Sequence, residues 1–230
     1  MTFDEQEAQE YDDFFTTKLG EFVDEVETEL AFKLFQPEPN SKVLDVGCGT
    51  GNFSIKLAQK GYKVVGIDIS QPMLKKARNK LRETEKNLDI EFRHMDALDL
   101  DFPDSCFDHA FSMATVEFIP DDKKEKFIKE MLRVVKPGGK ILVGTITKDS
   151  DWGQMYQQQA QSEESVFKDA EFTTPESLNQ IEVDKLVTSE ECLFISPTAE
   201  GEEISWEREK QLSDKKRGGF FCSLWQKPKM

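Results

Sequence analysis

Three glycines at alternate positions close the run Val43-Leu44-Asp45-Val46-Gly47-Cys48-Gly49-Thr50-Gly51. Glycines in such a loop let a ligand approach the backbone closely, and a helix starting just after them offers unpaired N–H groups. The spacing is G-x-G-x-G, and Asn52 stands where a pattern starting at Gly47 and shaped G-x-G-x-x-G, the dinucleotide fingerprint, would need its last glycine. Asp45 beside the loop would repel a pyrophosphate and suits a ligand that carries a cationic ammonium group. Asp68, 17 residues past Gly51, ends a second apolar run, where a carboxylate can accept from both hydroxyls of a ribose. Asp96 follows a third such run. A carboxylate there can accept from the exocyclic amine of adenine, with Met95 packed on the ring.

These groups work together only if one fold brings the ends of their runs to one edge. The pattern from Ser41 onward predicts that fold. Short apolar strands are expected at Lys42–Val46, Lys63–Ile67, Ile90–Arg93, Cys106–Ser112 and Lys140–Ile146. Helices are expected between them, over Gly51–Lys60 with Gly61 as its cap, after Ser70, and over Asp121–Val135. Strands that alternate with crossover helices imply a doubly wound, mostly parallel α/β sheet. Ile141-Leu142-Val143 suits a strand buried on both faces. Residues 3 to 35 read as two amphipathic helices, stopped by Pro37 and Pro39. After Thr147 the pattern weakens. Residues 150 to 171 are polar around Trp152 and Tyr156, Thr174 starts a helix, and Cys192–Ser196 and Gly219–Gln226 read as two last strands. Between those strands, Glu200–Lys216 reads as an exposed loop or short helix.

The chain has 230 residues and a net charge of −15, with 18 Phe. Its aromatic content argues against disorder. Residues 1 to 40 concentrate the charge, with 12 acidic against 2 basic side chains. So acidic a chain disfavours a nucleic-acid substrate and a polybasic membrane surface. Four cysteines without a CxxC pair and only two histidines, His94 and His109, argue against structural zinc. No signal peptide and no membrane-spanning run is visible, so the expectation is a cytoplasmic protein with reduced thiols.

The stretch Asp45 to Gly51, with Asp68, Asp96, the segment Phe107 to Asp121 and the turn Arg133-Val134-Val135-Lys136-Pro137-Gly138-Gly139, resembles the class I S-adenosylmethionine-dependent methyltransferases. Within them it is closest to the small-molecule and ubiquinone-biosynthesis branch. The resemblance covers roughly residues 41 to 147. It implies a Rossmann-like, mostly parallel seven-stranded sheet. It divides a single domain into a helical cap (1–40), a cofactor-binding core (41–147), a substrate-cap insertion after the fifth strand (148–186) and C-terminal strands (187–230). It further implies S-adenosyl-L-methionine as cofactor. Gly47, Cys48, Gly49 and Gly51 would line its methionine and ribose part, and Asp45 would face its ammonium. Asp68, with Ile69, would hold the ribose, and Asp96, with the Ala97 N–H, would read adenine. Ser112 and Met113 would lie near the methionine moiety. Phe3-Asp4 followed by Tyr11-Asp12 resembles a lead-in whose Tyr closes over the cofactor. Cys48 also reads as a small packing residue, since nothing basic nearby would activate it.

Methyl transfer from a sulfonium is an in-line displacement in which positioning contributes up to about 7–11 kcal/mol. A general base is needed only for a nucleophile that arrives protonated with a high pKa. No fixed catalytic residue is therefore required, and as no clear metal-ligand cluster is present in the sequence, metal independence is expected. Glu117 is a candidate base, or a partner for a cationic substrate, and reads equally well as a helix-start acid. The segment around it lacks the Asn- or Asp-Pro-Pro-Tyr motif of methyltransferases acting on adenine or glutamine amino groups. The cap segments offer Tyr11, Phe14, Phe15, Phe22, Trp152, Tyr156 and Phe172. Aromatic walls suit a small apolar or amphipathic acceptor, and the surrounding acids a cationic one. Phe22 fits helix packing better. Two other readings stay open, a protein methyltransferase acting on a basic substrate and a catalytically silent cofactor-binding regulatory protein. An NAD-dependent oxidoreductase would need glycine at position 52 and no acid at 45.

Overall fold

Near-continuous apolar runs become the inner strands of one seven-stranded sheet in the structure, a computed structural model that describes residues 3–84 and 87–229. The strands are β1 (Lys42–Val46), β2 (Lys63–Asp68), β3 (Ile90–His94), β4 (His109–Met113), β5 (Lys140–Ile146), β6 (Leu186–Cys192) and β7 (Phe220–Gln226). Their order is β3-β2-β1-β4-β5-β7-β6. β1 to β5 pair in parallel, and β7 runs antiparallel to both β5 and β6. The chain winds outward from β1 to β3 and then returns to β4 beside β1. That return opens a crevice at the carboxyl ends of β1 and β4, where open α/β sheets bind ligands.

Strand alternation sorts the core onto two faces. Val43 and Val64 pack with α2 (Lys18–Leu34) and α3 (Asn52–Gln59), through residues such as Val26, Leu30 and Leu57. Leu44, Val46, Val65 and Ile67 pack with α5 (Lys124–Val134), through Phe127, Ile128 and Met131. Asp45 and Asp68 fall on the α3 side by the same alternation, as the last or next-to-last residues of their strands. α4 (Gln71–Glu83) is N-capped by Ser70, whose hydroxyl accepts from Met73 N.

The N-terminal helices are α1 (Glu5–Phe14) and α2. Asp4 and Glu7 form a reciprocal capping box on α1. α1 rests on α4, with ion pairs or hydrogen bonds from Lys75 to Glu5, Lys76 to Gln9 and Lys80 to Asp12. After β5 come α6 (Asp151–Gln159) and the short α7 (Pro175–Leu178), and α8 (Trp206–Leu212) lies between β6 and β7.

Three expectations change. Residues 150 to 171 are not irregular throughout, since Ser150 caps α6 by accepting from Gly153 N. The sixth strand is Leu186–Cys192, not Cys192–Ser196. Leu193 takes a left-handed φ of 64°, which ends the strand. The N–H groups of Leu193, Phe194 and Ile195 then donate to the Glu209 carboxylate from α8 instead of to a neighbouring strand. β4 also starts later than expected, because Phe107 makes only an isolated bridge to Val135.

Candidate active site

A cavity of about 640 Å³ opens over the carboxyl ends of β1, β2 and β4. Its first half is built by the glycine loop. Gly47, Gly49 and Gly51 all have positive φ, between 52° and 83°. Their missing side chains serve different ends. A Cβ on Gly47 would strike the Thr115 side chain, and one on Gly51 would press on Ala77 and Phe92. A Cβ on Gly49 would meet nothing within 4 Å. Gly49 therefore keeps the cavity itself open, whereas Gly51 permits helix packing and does not line the cavity.

Asp68 fixes the loop. Its Oδ2 accepts from Gly49 N at 2.9 Å and its Oδ1 from Ser70 N at 2.8 Å. Each oxygen keeps a second lone pair for a ligand hydroxyl. Burial raises the Asp68 pKa, opposed by those two backbone bonds. Asp45 is buried, and its Oδ2 accepts from Ser54 Oγ at 2.6 Å. Burial pushes its carboxyl up to about 7, against that hydrogen bond. A cation in the cavity would return it to the charged form. Asp96 accepts from Leu98 N through Oδ1 and reaches the cavity with Ala97 and Met95. Ile69 is 42% exposed and also lines it, as do Cys48 and Met113. Burial raises the Cys48 thiol pKa well above the usual value, so the group is a packing residue and not a nucleophile. Ser112 lies outside the cavity. It is fully buried, and its hydroxyl donates to the Val46 carbonyl, tying β4 to β1.

The second half lies over β4 and β5 under the cap. Tyr11, Phe14, Phe15, Phe53, Trp152 and Tyr156 contribute its walls. Phe167 packs against Tyr156 at 4.6 Å between ring centres and stacks on Phe118, which meets Phe3. Phe22 and Phe172 stand outside the wall. Phe22 packs on Trp206, and Phe172 backs Tyr156. Glu117 is only 1% exposed. Its Oε2 accepts from Thr145 Oγ1 at 2.9 Å, while Oε1 is buried without a hydrogen-bond partner. Burial pushes its carboxyl up to about 7.

Sequence reading did not single out Glu27, Thr115 or the Asp12–Lys80 clasp. Glu27 lies one helical turn after Val23 and one before Leu30, an acid set within an apolar stripe, and that was its available signal. Thr115 Oγ1 sits within bonding distance of the Gly47 and Met113 carbonyls. Asp12 accepts from Lys80 Nζ at 2.6 Å and from Thr50 Oγ1 at 2.7 Å, joining α1 to the glycine loop. Among the described residues, no group of three or more His, Cys, Asp or Glu is placed to hold a metal ion. No helix there is long and apolar enough to cross a membrane.

Residues 43–139 match the family model described as a methyltransferase domain. The chain is 42% identical over 117 residues to a 2-methyl-6-phytyl-1,4-hydroquinone methyltransferase of Synechocystis, covering 50% of this chain and 33% of that protein. It is 41% identical over 102 residues to a phosphatidylethanolamine N-methyltransferase of Cereibacter sphaeroides, covering 44% and 49%. The matches span between about a third and a half of those relatives' lengths. Among solved structures, a SAM-dependent methyltransferase of Thermotoga maritima, described as a "possible histamine N-methyltransferase", superposes with a TM-score of 0.72 at 24% identity, over 97% of each chain. The phosphoethanolamine N-methyltransferase 2 of Haemonchus contortus, in complex with S-adenosyl-L-methionine, superposes with a TM-score of 0.70 at 18% identity, over 98% of this chain and 58% of that one.

Proposed function

We propose that the chain, whose residues 43–139 match a methyltransferase domain and whose fold is that of the class I S-adenosylmethionine-dependent methyltransferases, transfers a methyl group from S-adenosylmethionine to a small-molecule acceptor. The observation that carries this reading is the open space at Gly49, bordered by carboxylates with unused lone pairs.

The residues present fit the cofactor. Asp45 keeps one oxygen free of protein partners beside the glycine loop, where an ammonium would face it. Asp68 would accept from ribose hydroxyls, with Ile69 against the sugar. Asp96, Ala97 and Met95 would take the adenine edge and face. Cys48 and Met113 would close around the methionine part, and Tyr11 would cover it from α1. Bound there, S-adenosylmethionine supplies a methyl group on a sulfonium, open to in-line displacement by the acceptor atom. The protein's share is positioning and exclusion of water. Thr115 and Asp68 hold the loop from its two sides, and aromatic rings wall the second half of the cavity.

Calorimetry with S-adenosylmethionine and its demethylated product tests the reading on the wild type and on Asp68→Ala. Binding to the wild type, weakened at least tenfold in the variant, supports it. A folded wild type that binds neither nucleoside refutes it.

A further inference from the structure

The second half of the cavity holds polar groups that, Tyr11 apart, the proposed cofactor contacts do not use. Glu27 enters from α2 and Glu117 from the segment after β4. Glu27 makes no hydrogen bond or ion pair among the described residues, and Glu117 Oε1 is buried without a partner. The hydroxyls of Tyr11 and Tyr156 likewise donate to nothing among the described residues. The four groups feel one another. Glu27 and Glu117 both raise the pKa of each tyrosine, behind the larger effect of burial, and Glu117 also raises that of Glu27, behind burial and Asp24.

The cations nearest to these acids are committed elsewhere. Lys56 is bound to Asp24 and Thr28, and Lys124 to Asp121 and the Glu171 carbonyl. Eight acidic side chains line the whole cavity against one basic residue, Lys123. A buried carboxylate oxygen without a partner, as at Glu117, is costly, and an aromatic enclosure adds a favourable site for a cation.

We infer that the acceptor is an amine on an apolar body that enters as its ammonium, its nitrogen held by the carboxylates of Glu27 and Glu117 with the Tyr11 and Tyr156 rings flanking it. One carboxylate takes the ammonium proton, and the freed lone pair then forms the new N–C bond as the demethylated cofactor leaves. This inference rests on the methyltransferase reading and narrows its substrate class. Anionic and neutral acceptors of the same size leave both carboxylates unpaired and are rejected.

The test is a calorimetric titration of the full chain, alone and saturated with the demethylated cofactor. The probes are 2-phenylethylamine, phenyltrimethylammonium, 2-phenylethanol and 3-phenylpropanoate. Both cations should bind at least tenfold more tightly than the alcohol, and the carboxylate should not bind. Glu27→Gln should weaken the cations at least tenfold and leave the demethylated cofactor's affinity within twofold. The wild-type comparison of cation against alcohol needs no variant, so a variant that fails to fold does not decide the matter. Equal binding of alcohol and amine overturns the inference, as does no binding of either cation to the cofactor-loaded protein or cation binding unchanged in Glu27→Gln. The methyltransferase reading survives all three results while the demethylated cofactor still binds. It falls separately if that nucleoside does not bind, even where the amines do.

Discussion

Replacing Glu117 by Gln should stabilise the free protein at alkaline pH and leave it nearly unchanged in acid. The folded carboxyl titrates near 7, against an ordinary value of 4.5, because burial disfavours its charged form. The folded protein thus holds this proton over a range where the unfolded chain has released it. Its stabilising contribution is complete below pH 4.5 and is lost as the pH climbs through 7. A shift of that size corresponds to about 3 kcal/mol at 1.36 kcal/mol per pKa unit. The amide is neutral at every pH and can still accept from Thr145. The variant should therefore match the wild type near pH 4.5 and exceed it by up to about 3 kcal/mol at pH 8.5. Urea unfolding at both pH values measures this, and with a slope of about 3 kcal/mol/M the midpoint gain is about 1 M. Asp45 titrates alike in both proteins, so its contribution largely cancels in the difference, whereas Glu27 loses the upward push of Glu117 in the variant and shifts the gain in the same direction. A difference independent of pH, or a variant less stable at pH 8.5, would refute the reasoning. A gain would mark Glu117 as a group kept at the expense of stability, as binding residues often are.

The glycines of the loop should separate by role. Gly49→Ala should cost only the left-handed backbone penalty, about 1–2 kcal/mol, yet abolish calorimetric binding of the demethylated cofactor, because its Cβ projects into the cavity. Gly51→Ala should add packing strain against Ala77 and Phe92 and lower stability by about 2–5 kcal/mol in urea unfolding. Asp12→Ala strips Lys80 and Thr50 of a shared partner, so cofactor affinity should fall about tenfold, equivalent to about 1.4 kcal/mol, with unchanged circular dichroism. Glu209→Ala leaves the Leu193, Phe194 and Ile195 amides unpaired and should destabilise the fold by about 3 kcal/mol or more; a loss under about 1 kcal/mol would show that water replaces the carboxylate.

What was legible in the sequence followed from local rules. Runs such as Val43–Val46 and Ile141–Val143 are apolar on both faces because they sit inside a parallel sheet, so their pattern needs no partner to be read. Ser70 before Met73 announces its cap in the same local way. β6 escaped because an edge strand with the sequence LVTSEEC is polar on its open side. Leu193–Ile195 looked like a strand because its apolar side chains are buried, but its amides are bonded by a carboxylate some fifteen residues away. Most of the candidate site was readable in the same way, since Asp45, Asp68 and Asp96 stand at or near strand ends. Ser112 and Gly51 were placed at the site by position alone. Their roles in joining β1 to β4 and α3 to α4 depend on which face each presents, and contacts far along the chain set that. Glu27 is the converse case, a local irregularity whose meaning appears only when the fold brings it to the same cavity as Glu117.

α1 supplies one wall of the cavity, yet of its residues only Ala8 is buried, and its hold on α4 is mostly ionic. A wall fastened by charge has a residence time that depends on ionic strength. If the nucleoside exchanges past this wall, its off-rate follows the undocking of α1 from α4. Salt then becomes a kinetic probe. It quickens turnover if release of the demethylated nucleoside limits the cycle, and slows turnover if capture of the cofactor does.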